Sequence, residues 1–449
     1  MALTGIEIFK QLPKTNCKDC GFPTCLAFAM NLAAGKGELA DCPHVSDAAK
    51  ETLSAASAPP IRPVKIGAGD YTVTVGGETV EFRHEKTFVN PTPIAVMVST
   101  DMSDADVEAK IKMLDTLVFD RVGLKLKPEM VAVKDAGGDA AKFSALVSKI
   151  LSIKACPLIL VSASADSLKA GAEACGDNKP LLHAATAENA DAVAAIAKEK
   201  GCPVVAKADS LDALAQLTEK LSAAGLKDIV LDTGTTDIKK AFEEQIIIRR
   251  AALRKLFRPL GYPTITFPCE MFDDPMMETL AAATMIAKYS GIVVLSDLKG
   301  ETVFPLLLQR MNIFTDPQRP MATEQGIYPI GNPDENSPVL ITTNFSLTYF
   351  IVAGEIEASR VPSWLLIIDS EGLSVLTAWA AGKFVADAIA PFVKKSGIED
   401  KIKHRKIVIP GYASQISGEL EEELAGWEIQ IGPREASHLS AFLKNWSAA

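Results

Sequence analysis

Residues 203–232, PVVAKADSLDALAQLTEKLSAAGLKDIVLD, decide the fold. The apolar run at 203–206 has the length and composition of a strand buried on both faces. An amphipathic stretch follows at 211–224, and a second apolar run arrives at 229–232. Strand, helix and strand within about thirty residues make one parallel crossover unit.

Outward from this stretch the unit repeats. Apolar strands are predicted at 94–99, 130–134, 158–162, 181–184, 203–206, 229–232, 264–267 and 292–296, with helical stretches such as 104–116, 190–200, 211–224 and 238–257 between them. Eight such strands alternating with helices predict a (β/α)8 TIM barrel. Its active face would carry the polar residues just after the strands: Thr100, Asp101, Asp135, Lys207, Asp209, Asp232, Thr233, Gly234, Thr235, Cys269, Glu270 and Asp297. The competing reading of such residues is helix N-capping. Residues 71–75 and 78–82 alternate around Gly76-Gly77 and predict a hairpin sealing one end of the barrel.

Two breaks divide the chain. Residues 55–63 are rich in small residues and proline, and 315–338 carries Pro317, Pro320, Pro329, Pro333 and Pro338, which predicts irregular connecting chain. The expected domains are therefore 1–57, 64–314 and 315–449. In the last, strands at 339–342, 364–369, 406–410 and 428–432 alternate with helices at 346–358, 373–395, 416–425 and 437–446. This predicts an open, Rossmann-like parallel α/β sheet with a ligand crevice beyond the strand C-termini. The candidate cofactor-binding residues are Thr342, Thr343, Asn344, Ser346 and Thr348 after the first strand, and Glu371, Gly372, Leu373, Ser374 and Val375 after the second. Gly411, Tyr412 and Ala413 follow the third strand, and Pro433, Arg434 and Glu435 the fourth. The backbone N–H groups of 370–374, opening a long helix, would be free to meet acceptors. The alternative is a set of well-capped turns without a ligand.

The N-terminal tenth of the chain carries Cys17-x2-Cys20-x4-Cys25-x16-Cys42, with Pro43 after the last thiol. Gly21 and Pro23 bend the loop, Thr24 can cap a helix over 26–34, and the chain returns after Gly35 and Gly37. Four converging thiolates suit either a [4Fe-4S] cluster or a tetrahedral zinc. Only the first pair has zinc-knuckle spacing and the last ligand is a Cys-Pro, which favours iron–sulfur. The remaining cysteines, Cys156, Cys175, Cys202 and Cys269, stand singly and read as small core residues.

Composition narrows the classes further. The net charge of -10 argues against nucleic-acid binding, and no stretch of about 18 apolar residues predicts a membrane span. The N-terminal residues lack signal-peptide character, which with the cysteine usage points to a reducing cytoplasm. There is no phosphate loop, dinucleotide fingerprint, zincin helix or nucleophile elbow. His44, His84, His183, His404 and His438 are isolated in sequence and read as structural or solvent-facing.

One resemblance gathers these features. The start Leu3-Thr4-Gly5-Ile6-Glu7-Ile8 and the run Asn16-Cys17-x2-Cys20-Gly21-x-Pro23-Thr24-Cys25-Leu26-Ala27-Phe28-Ala29, followed by a barrel and a small α/β domain, resemble the large (gamma) subunit of the corrinoid iron–sulfur protein. The resemblance implies a [4Fe-4S] cluster on Cys17, Cys20, Cys25 and Cys42, and a base-off corrinoid (cobamide) in the C-terminal domain. No D-x-H-x-x-G motif is present to supply a histidine to cobalt. The implied activity is corrinoid-dependent methyl transfer in the reductive acetyl-CoA pathway of anaerobes. Co(I) would take a methyl group from methyltetrahydrofolate, bound on a separate methyltransferase, and deliver it to acetyl-CoA synthase/CO dehydrogenase; the cluster would return Co(II) to Co(I). The implied partner of the barrel is a small TIM-barrel subunit, in a heterodimer. The alternatives are an iron–sulfur electron-transfer protein without corrinoid, and a barrel methyltransferase that itself binds the pterin.

Overall fold

Strands without a polar face build the larger sheet. The computed structural model describes residues 5–33, 39–46, 49–50, 53, 59–316 and 320–448. After a hairpin of β1 (Val64–Ala68) and β2 (Tyr71–Val75) come β3 (Ile94–Ser99), a short excursion of β4 (Phe119–Arg121) and β5 (Leu124–Leu126), and β6 (Met130–Lys134). Then follow β7 (Leu158–Val161), β8 (Leu181–Ala185), β9 (Val204–Lys207), β10 (Ile229–Asp232), β11 (Ile265–Thr266) and β12 (Ile292–Leu295). Eight strands form one sheet in the order β10-β9-β8-β7-β6-β3-β12-β11. A parallel bridge between Leu231 and Thr264 joins its two ends, so the expected TIM barrel is present.

Alternate strand residues such as Ala95, Met130, Ala132, Ile159, Val205, Val230 and Val294 fill the barrel interior. Their neighbours Val96, Val131, Leu160 and Val293 are buried too, beneath the surrounding helices. Those helices begin where caps dictate: Ser103, Asp139, Ser164, Ser210, Asp237 and Asp274 each accept a hydrogen bond from a first-turn N–H.

The sealing hairpin exists with a different second strand. β2 pairs with β1, which precedes it, and residues 78–82 are not a strand. Glu78 and Glu81 are instead buried against cations from the helix Ile238–Arg254: Arg249 meets Glu78, while Arg250 and Arg254 meet Glu81. That pairing draws 78–82 out of any ladder. Val64, Ile66 and Val75 join the barrel core. Gly67 N–H donates to Lys179 O at 2.8 Å and Arg62 N–H to Gly261 O at 2.9 Å, so the hairpin plugs the N-terminal mouth.

The second sheet has β13 (Gly326–Ile330), β14 (Val339–Thr343), β15 (Ser363–Ile368), β16 (Lys406–Ile409) and β17 (Glu428–Ile431), in the order β13-β15-β14-β16-β17. β14 to β17 are parallel, as expected of an open α/β sheet, and β13 is an antiparallel edge. β13 corrects the expectation of irregular chain over 315–338; its Pro329 is tolerated because an edge strand has one unpaired side. The expected helix at 373–395 is two helices, Val375–Ala380 and Ala386–Ser396, separated at Gly382 with φ +69°.

The chain groups into two compact units: Met1–Val118 with Lys127–Phe314, and Phe119–Leu126 with Thr315–Ala449. The β4–β5 hairpin, absent from the sequence expectation, is grouped with the second unit, where Gly123 lies close to the Phe350 ring. Ala34, Gly35, Gly37, Leu3, Thr4, the 54–58 part of the expected linker and Pro317 lie outside the described residues. Among the described residues no helix is long and apolar enough to cross a membrane.

Candidate functional site

The cysteine segment folds as its small residues dictate. Gly21, at φ +79°, turns the chain and donates to Lys18 O at 2.9 Å. Thr24 Oγ1 accepts the Ala27 N–H at 3.0 Å and caps the helix Cys25–Ala33. Asn16 clamps the third thiol from both sides: its Oδ1 accepts the Cys25 N–H at 2.8 Å and its own N–H donates to Cys25 Sγ at 3.4 Å. Cys20, Cys25 and Cys42 share one small core with Ile8, Leu12, Phe22 and Phe28. Cys17 is exposed beside Asp19 and His44. Asp19 is held below the usual carboxylate range by hydrogen bonds from His44, at 2.6 Å, and Cys17.

The other thiols differ in kind. Burial pushes Cys156, Cys175 and Cys269 up to about 12 and Cys202 to about 11, so they rest as protonated thiols.

In the open sheet, connections from β14 run to β15 on one side while β16 lies on the other, which makes the β14/β16 boundary the topological switch point. These two strands share the register pair Leu340↔Val408. A cleft of about 610 Å³, including its open mouth, lies there, lined by Ile341, Thr342, Thr348, Val352, Val375, Ile409, Pro410, Tyr412, Gly432, Pro433, Arg434 and Leu439 among others. Its walls are mostly apolar with a few polar groups, the usual make-up of a small-molecule site. At the end of β14 the hydroxyls of Thr342 and Thr343 are buried and have no hydrogen-bond partner. A buried hydroxyl without a partner costs roughly 1–3 kcal/mol, and of the two Thr342 lines the cleft.

Of the sequence-predicted residues, Thr342, Thr348, Val375, Tyr412, Pro433 and Arg434 line this one cleft. Tyr412 donates to Glu435 Oε1 at 2.8 Å across its rim. Gly411 has no room for a side chain, since a Cβ would come within 2.6 Å of Gly432 O. Ala413 and Leu373 belong to the core cluster, and Ser346 is buried with its N–H donating to Met321 O at 2.9 Å. Ser374 Oγ pairs with Thr377 Oγ1 at 3.1 Å, and Glu371 with Lys383 Nζ at 2.7 Å.

The expected free N–H groups at 370–374 are a correction. Ser370 N–H and Gly372 N–H donate to Asn344 Oδ1, Glu371 N–H to Asp369 Oδ1, and Leu373 N–H to Ser370 O. Sequence reasoning missed Pro410 and Val352 as lining residues; Pro410 directly follows a strand, a signal that was available.

The barrel's C-terminal mouth is arranged differently. Asp232 is buried, which works to raise its pKa. Hydrogen bonding to His183 (2.8 Å), the charges of His183 and Lys207, and the Gly234 N–H outweigh that and hold it below the ordinary value. His183, isolated in sequence and read as structural or solvent-facing, is buried and paired, with its ring edge against Phe267. Lys134 pairs with Glu270 at 2.9 Å, Ser162 donates to Asp135 at 2.9 Å, Thr100 Oγ1 accepts the Ala136 N–H, and Asp297 accepts the Leu298 N–H.

Comparison with known proteins reaches across both units. Residues 63–443 match the family described as CO dehydrogenase/acetyl-CoA synthase delta subunit, and residues 12–44 the family described as "Putative Fe-S cluster". The corrinoid/iron-sulfur protein large subunit of Moorella thermoacetica is 46% identical over 444 residues, covering 99% of both chains. This chain belongs to the corrinoid/iron-sulfur protein large-subunit family. Within that family, the acetyl-CoA decarbonylase/synthase complex subunit gamma of Methanopyrus kandleri is 36% identical and covers 98% of this chain and 97% of its own. The gamma subunit of Archaeoglobus fulgidus is 35% identical with 98% of each covered. Among solved structures, dihydropteroate synthase from Thermus thermophilus aligns with 56% of this chain and 99% of its own at 11% identity and a TM-score of 0.40.

Proposed function

We propose that this chain is the corrinoid- and cluster-bearing subunit of an acetyl-CoA synthase system and serves as its methyl carrier. The observation that carries the reading is the cleft at the β14/β16 switch point, lined by the buried and unpaired Thr342 hydroxyl, in a chain that also gathers Cys20, Cys25 and Cys42 in one small core. Membership of the large-subunit family supports it.

The residues fit both groups. Cys17, Cys20, Cys25 and Cys42 would hold a [4Fe-4S] cluster, with the Asn16 clamp fixing the third thiol. Thr342 and Thr348 would meet polar side groups of a cobamide, and Ile341, Val352, Val375 and Pro433 its apolar ring edge, beneath the Tyr412–Glu435 rim. Among the described residues no histidine lines the cleft, and His404 is committed to Ser337 O and the Lys406 N–H, so the chain offers cobalt no imidazole there. When bound, the corrinoid supplies a cobalt nucleophile for methyl transfer and the cluster a low-potential electron to keep it reduced.

The residues of this chain hold the two groups in place, and the apolar walls of the cleft exclude water from the bound face. We assign the cluster to residues 1–57, the barrel to 64–314 and the corrinoid to 315–449. The partners in this reading are a small TIM-barrel subunit, a methyltetrahydrofolate methyltransferase and acetyl-CoA synthase/CO dehydrogenase, in a reducing cytoplasm.

The test is metal analysis with an ultraviolet–visible spectrum of anaerobically purified protein, co-produced with its small partner in a corrinoid-supplied host. About four irons and one cobalt per heterodimer are expected. Iron without cobalt would make the chain an electron carrier, and zinc alone would overturn both assignments.

A further inference from the structure

We propose that Asn344 is the positioning residue of the β14/β16 cleft: it ties the end of β14 to the 369–373 loop and so fixes where the wall around Val375 stands. The inference rests on the corrinoid reading of that cleft and reassigns Asn344 from ligand contact to support.

Asn344 is buried and every polar atom of its side chain is in use. Oδ1 accepts from Ser370 N–H at 3.0 Å and Gly372 N–H at 2.9 Å, and shares the Ser370 hydroxyl proton (2.9 Å) with Leu373 O (3.0 Å). Nδ2 donates to Asp369 Oδ1 at 2.8 Å, and the Asn344 carbonyl accepts the Thr323 N–H at 2.8 Å. A primary amide on so short a side chain supplies both an acceptor for the two loop N–H groups and a donor for the carboxylate, which suits asparagine to this place.

The loop it holds is one that would not stay put by itself. Glu371 and Gly372 sit in succession at φ +58° and +74°, and a left-handed glutamate is unfavourable unless its surroundings impose it. The loop ends at Ser374, where the helix Val375–Ala380 begins, and Val375 is a cleft wall. Thr342, two residues before Asn344 and within β14, is another. A single side chain therefore sets the separation of two walls of the cleft, while touching none of the space between them.

The test compares wild type, Asn344→Ala and Asn344→Asp in the full chain co-purified with its small partner. Corrinoid affinity is measured by titrating cobinamide and a full cobamide into corrinoid-free protein. Asn344→Ala should weaken binding by about 10-fold or more, in line with the loss of several buried bonds. Iron content and the melting of the barrel should be unchanged. Asn344→Asp keeps the acceptor while placing a carboxylate against Asp369, and should fall between the two. Hydrogen exchange at Ser370 and Gly372 should quicken in the same order.

Wild-type affinity in Asn344→Ala, or in Asn344→Asp should the alanine variant fail to fold, would overturn the positioning role. So would weakened binding with unchanged exchange in the loop. Wild type that takes up iron but no corrinoid would instead overturn the corrinoid reading itself.

Discussion

Two sets of parallel strand ends in this molecule carry polar residues, and they use them in opposite ways. At the barrel mouth the groups satisfy one another: Asp232 has His183, Lys207 and the Gly234 N–H, Glu270 has Lys134, and Asp135 has Ser162. At the end of β14 the hydroxyls of Thr342 and Thr343 are equally buried and have nothing. The residue types are similar and the locations equivalent, so composition does not separate them. A closed barrel lets side chains from neighbouring strands reach each other across its mouth, whereas the strands at a switch point diverge and leave a gap that a ligand completes.

Breaking the second site should therefore abolish ligand retention, and breaking the first should cost stability alone. The largest effect is expected at Gly372, whose φ is +74° and whose added Cβ would lie 2.9 Å from Pro320 O. Gly372→Val should eliminate cobalt from the purified complex and leave its iron untouched; cobalt at the wild-type level would remove the loop from the site. Next comes His183→Ala, which leaves buried Asp232 with only Lys207 and the Gly234 N–H and should destabilise the barrel by about 1–3 kcal/mol in a denaturant titration. Corrinoid affinity should not change, and a parallel fall in affinity would mean that the mouth serves the ligand after all.

Asp232 sharpens the same contrast through pH. Its folded pKa lies below the ordinary value of 3.8, so its contribution to stability is fully present above that value and is lost as the pH falls through the lower folded one. Asp232→Asn should flatten the acid limb of the stability profile below about pH 4, and an unaltered limb would mean another carboxylate controls it. The smallest effect separates the two regions most cleanly. Thr342→Val keeps the shape and deletes an unpaired hydroxyl, so ligand-free protein should be unchanged or more stable by about 1 kcal/mol while corrinoid binding weakens several-fold. Destabilised ligand-free protein would show that the hydroxyl already has a partner.

The barrel was legible because both faces of its strands are buried, which writes continuous apolar runs that one-sided sheets do not have. β13 was not, since Pro329 and its flanking glycines mimic a linker, and the tolerance of an edge strand for proline depends on knowing which strand lies at the edge. Residues 78–82 alternate like a strand, yet Glu78 and Glu81 answer to arginines some 170 residues away, as the Arg249–Val80 separation of 169 shows. Thr342, Tyr412 and Arg434 could be picked out as residues following strands. That two hydroxyls are orphaned, that Ala413 is core and that Asn344 consumes the loop's donors are facts of packing with no local signature.

The position of β3 between β6 and β12 has a consequence for how the chain is made. β6 follows β3 closely and can pair with it early, but the other flank waits for Ile292–Leu295, and the Thr92–Ser290 hydrogen bond spans 198 residues. At ordinary rates of synthesis of about 5–20 residues per second, one edge of Ile94–Ser99 stays open on the ribosome for roughly ten to forty seconds. An apolar, unpaired edge of that lifetime is a target for chaperones and a seed for aggregation. Low yield of the barrel in a heterologous host would then trace to its first strand rather than to either cofactor.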